Sequence, residues 1–334
     1  MRIGLSYDLR EGMPLQQNSP EDALEEYDSL ETVEIIALAL EAKGHSVIKL
    51  GGGMQFLDNV RQNKVDIVFN IAEGRGNCRS REAQVPSILE MLDIPYTGSD
   101  PLCLAVCLDK ATTKKLVAAD SIITPQWLVI ASKEELERTS WDGFPFPAII
   151  KPAYEGSSKG IRLSSLIYSV QQARQEAGKI LGYYRQPVMI EKFIAGDEVT
   201  VGVIGNTPPK VVGMMRVVPK KKEECFIYSL EVKRDYLSLV DYRCPADLGQ
   251  DVLDMLADAS LRVYKVLGCR DFARLDFRVS PEGMPYFIEM NPLPGLGTYS
   301  DLVIMALKLG WTHTELIVAV LDAALERYPQ CVSV

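Results

Sequence analysis

Residues 273–279, ARLDFRV, and residues 285–291, PYFIEMN, predict a β-hairpin with two chemically different faces. The dipeptide Glu282-Gly283 between them is typical of a tight turn. Side chains alternate along a strand, so every second residue points to the same face. The polar face carries Arg274, Asp276, Glu289 and Asn291. The apolar face carries Leu275, Phe277, Ile288 and Met290.

A turn centred on Glu282-Gly283 places Asp276 directly opposite Glu289. The same register places Arg274 opposite Asn291. Two carboxylates that face each other at ~5 Å repel unless a cation lies between them. Two carboxylates and an amide are oxygen donors that suit Mg²⁺, with phosphate oxygens completing its coordination. The alternative is an exposed polar face on which Arg274 neutralises both acids.

A second motif lies in residues 151–161, KPAYEGSSKGI. Lys151 ends a predicted strand, and a loop rich in glycine and serine follows it. Backbone N–H groups, the hydroxyls of Ser157 and Ser158, and a fixed lysine can together hold a phosphate. The loop is neither a Walker motif nor a nucleophile elbow, because both spacings are absent. The alternative is a hairpin loop without a ligand.

Two further segments carry weaker signals. Residues 191–198, EKFIAGDE, follow an apolar strand whose edge could offer backbone groups to a purine, and Glu198 could accept hydrogen bonds from a ribose. Most such segments are ordinary hairpins. Lys110 and Lys114 lie one helical turn apart, and this spacing alone favours a solvated helix face.

The pattern along the chain indicates two kinds of architecture. The first third alternates strands and helices, which predicts a parallel sheet with helices on both faces. From about Thr124 onwards the pattern is that of a mixed α+β segment. The sequence also predicts one helix over residues 101–119 and strands over residues 161–164 and 226–231. The predicted sub-domains are residues 1–100, 101–186 and 187–334.

The composition excludes several classes of protein. The 334 residues are 47% apolar and carry a net charge of −9, from 36 basic and 45 acidic residues, which argues against disorder and against binding to nucleic acid or anionic membranes. Seven scattered cysteines without a C-x-x-C motif favour a reducing compartment. Two histidines argue against a zinc site and a histidine-based triad. Without a signal peptide or a membrane-spanning apolar stretch in the sequence, we expect a cytoplasmic protein.

Taken in order, these pieces resemble the ATP-grasp carboxylate–amine ligases, and among them the D-alanine–D-alanine ligases. The resemblance runs from about residue 66 to residue 326. It is densest in three stretches: IPYTGS at 94–99 followed by Asp109-Lys110, the phosphate-loop motif at 151–161, and the segment from Arg274 to Gly295.

The resemblance implies an ATP-grasp fold, in which an N-terminal parallel α/β sub-domain is followed by two α+β lobes that clasp ATP. It implies a ligase that joins two amino acids, of the D-alanine–D-alanine type used in peptidoglycan synthesis. ATP would phosphorylate a carboxylate, an amine would displace the phosphate, and ADP and phosphate would be released. Two Mg²⁺ ions, or Mn²⁺, small amino-acid substrates and a homodimer are also implied.

Individual residues receive roles from the resemblance. Mg²⁺ ligands would be Asp276, Glu289 and Asn291. Catalytic residues would be Arg274, which stabilises the tetrahedral intermediate, with Ser157 and Glu25. ATP contacts would be Lys110, Lys151, Ser157, Ser158, Glu191, Lys192, Phe193, Ile194, Glu198, Tyr228 and Lys233.

The chain departs from the family pattern on the amino-acid side. Where the family has a His-Gly pair, this chain has Glu73-Gly74, followed by a segment that contains Arg81. Arg234 stands where a tyrosine follows the lid lysine, and Asp301 stands where a leucine follows Ser300. A charge added to a small pocket shifts specificity strongly. The alternatives therefore stay open: D-alanine, another amino acid or peptide-like carboxylate of unknown chirality, a phosphotransferase, or a nucleotide-binding regulatory homologue.

Overall fold

A parallel three-stranded sheet forms the N-terminal unit of the computed structural model, which describes residues 1–11, 13, 19–221 and 224–331. The strand order is β2-β1-β3, and helices connect the strands, as the alternating pattern predicts. The elements are β1 (Arg2–Ser6), α1 (Leu30–Glu41), β2 (Ser46–Gly51), α2 (Gly53–Gln62) and β3 (Ile67–Asn70).

Helix α1 begins and packs as its sequence requires. The Ser29 side chain accepts a hydrogen bond from the Thr32 backbone N–H at 3.2 Å and so caps the first turn. Val33, Ile36 and Leu40, which recur at helical spacing, are fully buried. Burial of this stripe fixes α1 against the sheet.

The segment after β3 is helical, but the prediction of one helix over residues 101–119 is wrong. A 3₁₀ helix at Arg81–Ala83 is followed by α3 (Gln84–Met91), α4 (Pro101–Leu108) and α5 (Lys110–Ala119). Asp109 breaks the helix because its side chain accepts a hydrogen bond from the Thr112 N–H at 3.1 Å and caps α5. A new helix therefore begins at Lys110.

The second sheet has four antiparallel strands in the order β4-β7-β5-β6. The predicted strand at 161–164 is wrong, because those residues form a turn and part of a 3₁₀ helix at Leu163–Ser165. Strand β7 hydrogen-bonds within this sheet, although it lies beyond residue 186; the sub-domain boundaries stay a prediction. The elements are β4 (Trp127–Ile130), α6 (Lys133–Arg138), β5 (Ala148–Pro152), β6 (Leu166–Ile167), α7 (Val170–Tyr184) and β7 (Val188–Lys192).

The third sheet has five antiparallel strands in the order β10-β9-β8-β11-β12. The predicted strand at 226–231 is wrong, because a helix begins at Leu230 after an irregular segment. The elements are β8 (Asp197–Ile204), β9 (Lys210–Pro219), α8 (Leu230–Arg234), α9 (Tyr236–Leu239), β10 (Val240–Arg243), α10 (Gln250–Val266), β11 (Phe272–Val279) and β12 (Pro285–Asn291).

The hairpin of β11 and β12 has the predicted register at its site end. Asp276 pairs with Glu289, and Arg274 pairs with Asn291. A bulge next to Asp276 then shifts the register by one residue, so that Phe277 pairs with Phe287. The prediction that Ile288 lies on the apolar face is therefore wrong. Phe287 takes that place, and its ring centroid lies 5.8 Å from that of Phe277.

Two final helices, α11 (Asp301–Lys308) and α12 (His313–Arg327), complete the core of the N-terminal unit. Leu316 and Val320 of α12 are fully buried in the same cluster as Ile36 of α1. In the described ranges, no single helix is long and apolar enough to span a membrane. Only α11 and α12 taken together reach that length and composition, and they are bent by 112°.

Candidate active site

A cavity of about 430 Å³ opens where the N-terminal unit, the loop after β5, helix α8 and the segment from β12 to α11 meet. All three sheets thus supply adjoining segments to one site. The predicted site residues that line it are Glu25, Lys110, Ser157, Lys233, Arg274, Glu289 and Asn291.

Asp276 is held by donors on three sides. Nη2 of Arg274 lies 2.9 Å from its Oδ2. Oγ1 of Thr200, on the neighbouring strand β8, donates to Oδ1 at 2.9 Å. Nδ2 of Asn291 donates to Oδ2 at 3.2 Å. Arg274 therefore neutralises Asp276 in this structure. This contact agrees with one part of the alternative in which Arg274 neutralises both acids of the hairpin.

Glu289 has a different cation as its partner. Nζ of Lys110 lies 3.1 Å from Glu289 Oε2 and also donates to the backbone carbonyl of Glu155 at 2.6 Å. Burial would raise the pKa of Glu289, but Lys110, Lys151 and Arg274 outweigh it and lower the pKa to about 2. Glu289 is therefore an anion at neutral pH. Lys110 is only 6% exposed, so the solvated helix face favoured by its spacing is wrong.

The polar face of this hairpin fits Mg²⁺ by its donor chemistry. Two carboxylates, Asp276 and Glu289, and the amide oxygen of Asn291 are hard oxygen donors on one face. The described part of the chain contains no group of three histidine, cysteine or acidic residues that could hold a metal by itself. A bound cation would therefore need further oxygen ligands, such as those of a phosphate.

A buried cluster of two lysines and one glutamate lies behind the hairpin. Glu191 pairs with Ile149 across the sheet, so its side chain shares a face with Lys151, two residues further along β5. Oε1 of Glu191 forms an ion pair with Lys151, and Oε2 lies 2.9 Å from Nζ of Lys114. Burial would raise the pKa of Glu191, but the two lysines lower it to about 2.

Lys114 is a site residue that the sequence analysis missed. Its side chain is fully buried, so the prediction of a solvated helix face is wrong for it as well. Nζ donates to Oγ1 of Thr124 at 2.8 Å in addition to its contact with Glu191. The spacing of Lys110 and Lys114 could have identified Lys114 as a site residue, because it places both lysines on the same face of α5.

The loop after β5 contains two consecutive serines with positive φ angles. Ser157 and Ser158 have φ angles of 52° and 59°, in the left-handed region. Ser157 lines the cavity, whereas Oγ of Ser158 donates to the backbone carbonyl of Tyr228 at 3.4 Å. Nζ of Lys159 lies 2.6 Å from Oε2 of Glu155 and ties the loop together.

Arg278, which the sequence analysis also missed, organises the segment after β7. Its Nε donates to the backbone carbonyl of Ile194 at 2.9 Å, and its Nη1 lies 2.9 Å from Oε2 of Glu198. Its guanidinium lies 4.8 Å from the ring centroid of Phe193. Lys192 is exposed at the end of β7. These predicted ATP contacts lie together, but they do not line the cavity.

The predicted lid forms helix α8 and the residues before it. Lys233 lines the cavity and has no ion-pair partner in the described ranges. Burial lowers the pKa of Lys233, and nearby Asp301 only partly offsets this. The hydroxyl of Tyr228 does not line the cavity; it lies 3.3 Å from Oδ1 of Asp301 and contacts the Tyr242 hydroxyl.

Three departures from the family pattern make ion pairs at the site. Arg234 Nε donates to Oε1 of Glu25 at 3.1 Å, which links the lid to the N-terminal unit. Asp301 Oδ2 lies 3.6 Å from Nη1 of Arg274. Arg81 is fully buried; its Nη2 lies 2.7 Å from Oε2 of Glu26 and 3.1 Å from the carboxylate of Glu155.

Glu82 lies beside this network with its carboxylate unpaired in the described ranges. Burial raises its pKa to about 7; Arg81 opposes this shift and Glu26 adds to it. The folded protein therefore binds the Glu82 proton more tightly than the unfolded chain does. Glu82 consequently costs stability as the pH rises from 4.5 to about 7.

We compare the free energies of unfolding of Glu82→Gln and the wild type. We expect their difference to shift in favour of the variant by about 1–3 kcal/mol as the pH rises from about 4.5 to about 7.5. The substitution removes a buried carboxyl group whose loss of a proton lowers the stability of the folded protein. Urea denaturation at a series of pH values measures this difference, with the exposed Glu137→Gln as the matched control. A difference that stays constant with pH would contradict the expected coupling.

Comparisons with known proteins agree with this geometry. The family model described as D-ala D-ala ligase C-terminus matches residues 116–322. The chain is 35% identical to the D-alanine–D-alanine ligase of Aquifex aeolicus, over 86% of this chain and 93% of that protein. It is 32% identical to the ligase of that name from Syntrophotalea carbinolica, over 89% and 91%.

A solved structure shows the same fold. The D-alanine–D-alanine ligase of Bacillus anthracis complexed with ATP superposes with a TM-score of 0.76 and 22% identity, covering 99% of each chain. The predicted fold class is therefore confirmed: a parallel α/β unit followed by two α+β lobes.

Proposed function

The chain belongs to the D-alanine–D-alanine ligase family of ATP-grasp enzymes, and we propose that it forms an amide bond between two amino-acid substrates at the expense of ATP. The observation that carries this proposal is the cavity wall at the end of the β11–β12 hairpin. There the carboxylate of Glu289 and the guanidinium of Arg274 face the same space as Lys110 and the Ser157 loop.

The buried lysines supply the phosphate half of the site. Lys110, Lys114 and Lys151 are each at most 6% exposed, and they project from helix α5 and strand β5. Lysine ammonium groups and the N–H groups of the Ser157 loop suit the phosphates of ATP. The adenosine would lie along residues 191–198, whose shape Arg278 fixes. The ATP complex of the Bacillus anthracis ligase supports this nucleotide.

Asp276, Glu289 and Asn291 would hold Mg²⁺, two ions in our proposal, with Mn²⁺ as a substitute. When bound, Mg²⁺ offsets negative charge on the transferring phosphoryl group. The protein contributes the ionised state of Glu289, whose pKa is lowered to about 2 by Lys110, Lys151 and Arg274 against the effect of burial. Thr200 and Arg274 fix the orientation of the Asp276 carboxylate.

The reaction needs activation because a carboxylate is a poor electrophile. A carboxylate oxygen of the first amino acid bonds to the γ-phosphorus, ADP leaves, and an acyl phosphate forms. The neutral amine of the second substrate bonds to the acyl carbon, inorganic phosphate leaves with the C–O bond electrons, and the amine nitrogen releases a proton. Arg274 would stabilise the oxyanion, Ser157 would contact the reacting carboxylate, and Glu25 would position the first amino acid. Helix α8 would exclude water from the acyl phosphate.

The test measures phosphate release from ATP and Mg²⁺ with D- and L-amino acids, singly and in pairs, with products identified by mass. We expect ADP, phosphate and a dipeptide, with D-alanine as the first substrate to examine. AMP as the nucleotide product would contradict the proposal, because it indicates adenylation of the carboxylate instead of phosphorylation.

We further propose a homodimer that acts in the cytoplasm, where such a ligase would supply peptidoglycan precursors. All seven cysteines, each within the described ranges, are free thiols, which suits a reducing compartment. Large apolar side chains on helices in the first third of the chain are exposed: Leu38 to 61%, Met91 to 84% and Leu102 to 74%. Light scattering of the purified protein measures the oligomeric state, and a monomer at micromolar concentration would contradict the dimer.

A further inference from the structure

Glu73 and Glu82 are shielded acidic side chains that line the cavity without a partner in the described ranges. Glu73 follows strand β3, and Glu82 lies in the 3₁₀ helix at Arg81–Ala83. Neither carboxylate has a hydrogen bond or an ion pair in the described ranges. Glu82 is only 8% exposed, so its carboxylate is withdrawn from bulk water and faces the cavity. A buried carboxylate without a partner is costly, which points to a missing cation.

The two cations that act on Glu82 are already committed to other acids, Arg81 to Glu26 and Glu155, and Lys110 to Glu289. Arg81 adjoins Glu82 in the chain, but its guanidinium contacts the carboxylates of Glu26 and Glu155. Three other acids of the cavity wall also have basic partners. The pairs are Glu25 with Arg234, Glu289 with Lys110, and Asp301 with Arg274.

Asp28, which is half-buried, is a further cavity-lining acid whose carboxylate has no hydrogen bond or ion pair within the described ranges. Burial and the charge of Asp8 raise the pKa of Asp28 to about 7, although Arg10 opposes them. The pKa of Glu73 is raised as well, by burial first and by Glu82 second. This side of the cavity thus carries three acids that a bound cation would relieve.

The substrates of an ordinary ligation supply too few cations for these acids. The amino acid that is phosphorylated brings one α-ammonium group, and its carboxylate faces Arg274. The second substrate attacks through a neutral amine, so it brings no ammonium group at the moment of reaction. At least one of the carboxylates would then remain unpaired in the loaded site.

A metal ion is a poorer occupant than an organic cation. The described residues contain no group of three histidine, cysteine or acidic side chains placed to hold a metal. Glu26, the nearest further acid, is already bound to Arg81 and Lys159. The cavity of about 430 Å³ falls within the range of sites that hold ligands larger than two alanines, so a longer side chain has room.

We infer that one substrate is a diamino acid, whose side-chain ammonium group is bound by Glu73 and Glu82. This inference rests on the proposed ligase function and names its substrate class. Glu73 stands where the family resemblance expects a histidine, so the acidic pair is a feature that distinguishes this chain. A site built around a buried charge rejects an uncharged analogue of the same shape, because the carboxylates would be left unpaired.

The test compares diamino acids with neutral amino acids of matched shape. Lysine is paired with norleucine and ornithine with norvaline, as D- and L-forms, each alone and with D-alanine. For the wild type we expect kcat/KM for ADP formation to favour the diamino acid by about 100-fold or more. In Glu73→Gln/Glu82→Gln we expect this preference to fall at least tenfold, whereas Glu137→Gln keeps it.

Calorimetric binding in the presence of a non-hydrolysable ATP analogue separates the two proposals. Equal kcat/KM for both members of each pair, with ligation observed, would overturn the inference and leave the ligase function standing. Absence of turnover with every amino acid would overturn the ligase function. If lysine and ornithine then bind no more tightly than norleucine and norvaline, or if Glu73→Gln/Glu82→Gln keeps the full wild-type preference in binding, the inference fails too.

Discussion

Arg274→Ala is expected to lower kcat/KM for ligation by about 10²–10³-fold, the loss typical when a donor that stabilises an oxyanion is removed. Arg274 is the guanidinium on the cavity wall that adjoins both Asp276 and Asp301. Ligation passes through a tetrahedral oxyanion, and no side chain of β11 or β12 other than Arg274 offers a cation to the cavity. The rate of dipeptide formation at saturating ATP and Mg²⁺ measures the effect.

Arg274→Lys is the matched control for this prediction. It keeps the positive charge but loses the planar fork that contacts Asp276 through two nitrogens, so we expect an intermediate loss. Thermal unfolding of both variants shows whether the neighbouring acids destabilise the fold once their partner is changed. Turnover within threefold of wild type in folded Arg274→Ala would exclude the assigned role.

Glu191→Gln is expected to lower the free energy of unfolding by about 3–5 kcal/mol, because it leaves two buried lysines without a counter-charge. Lys114, Lys151 and Glu191 are each at most 3% exposed, so water cannot replace the lost carboxylate. Chemical denaturation at pH 7 measures the loss. The exposed pair of Glu137 and Arg174 gives the control, and Glu137→Gln should stay within about 0.5 kcal/mol of wild type.

The pH dependence of this difference tests its electrostatic origin. The folded pKa of Glu191 is lowered to about 2, from its ordinary 4.5, by Lys114 and Lys151 against burial. The stability that its charge contributes is therefore complete above pH 4.5 and lost as the pH falls towards 2. The wild type and Glu191→Gln should converge over this acidic range. A loss of the same size at low and neutral pH would indicate packing instead of charge.

The β11–β12 hairpin was predictable because alternation and a turn dipeptide are local signals. The pairs Asp276–Glu289 and Arg274–Asn291 follow from them and are confirmed. The bulge was not predictable, because the same turn is compatible with a strand β12 in which Ile288 is an extra residue without a partner on β11. The packing of Phe287 against Phe277 in the core reveals the bulge.

Residues that act through long-range ion pairs could not be assigned from the sequence. Lys114 of helix α5 is buried beside Glu191 of strand β7, which neutralises its charge. Arg234 and Glu25 lie 209 residues apart, and nothing local to either predicts the contact. Arg234 alone looked like a departure from the family pattern, and Glu25 alone looked like a residue of the amino-acid site. Together they form one ion pair between the lid and the N-terminal unit.

The position of α11 and α12 in the sequence also determines when the N-terminal unit can complete its folding during synthesis. The ribosome makes β1, α1, β2 and β3 first, yet their shared core includes Leu302, Leu316 and Val320 from near the far end of the chain. The apolar surface of β1, α1, β2 and β3 therefore stays exposed until α11 and α12 have been synthesised. Apolar surface that stays exposed in this way is prone to aggregation, so we expect the N-terminal unit to need protection until α11 and α12 have been made.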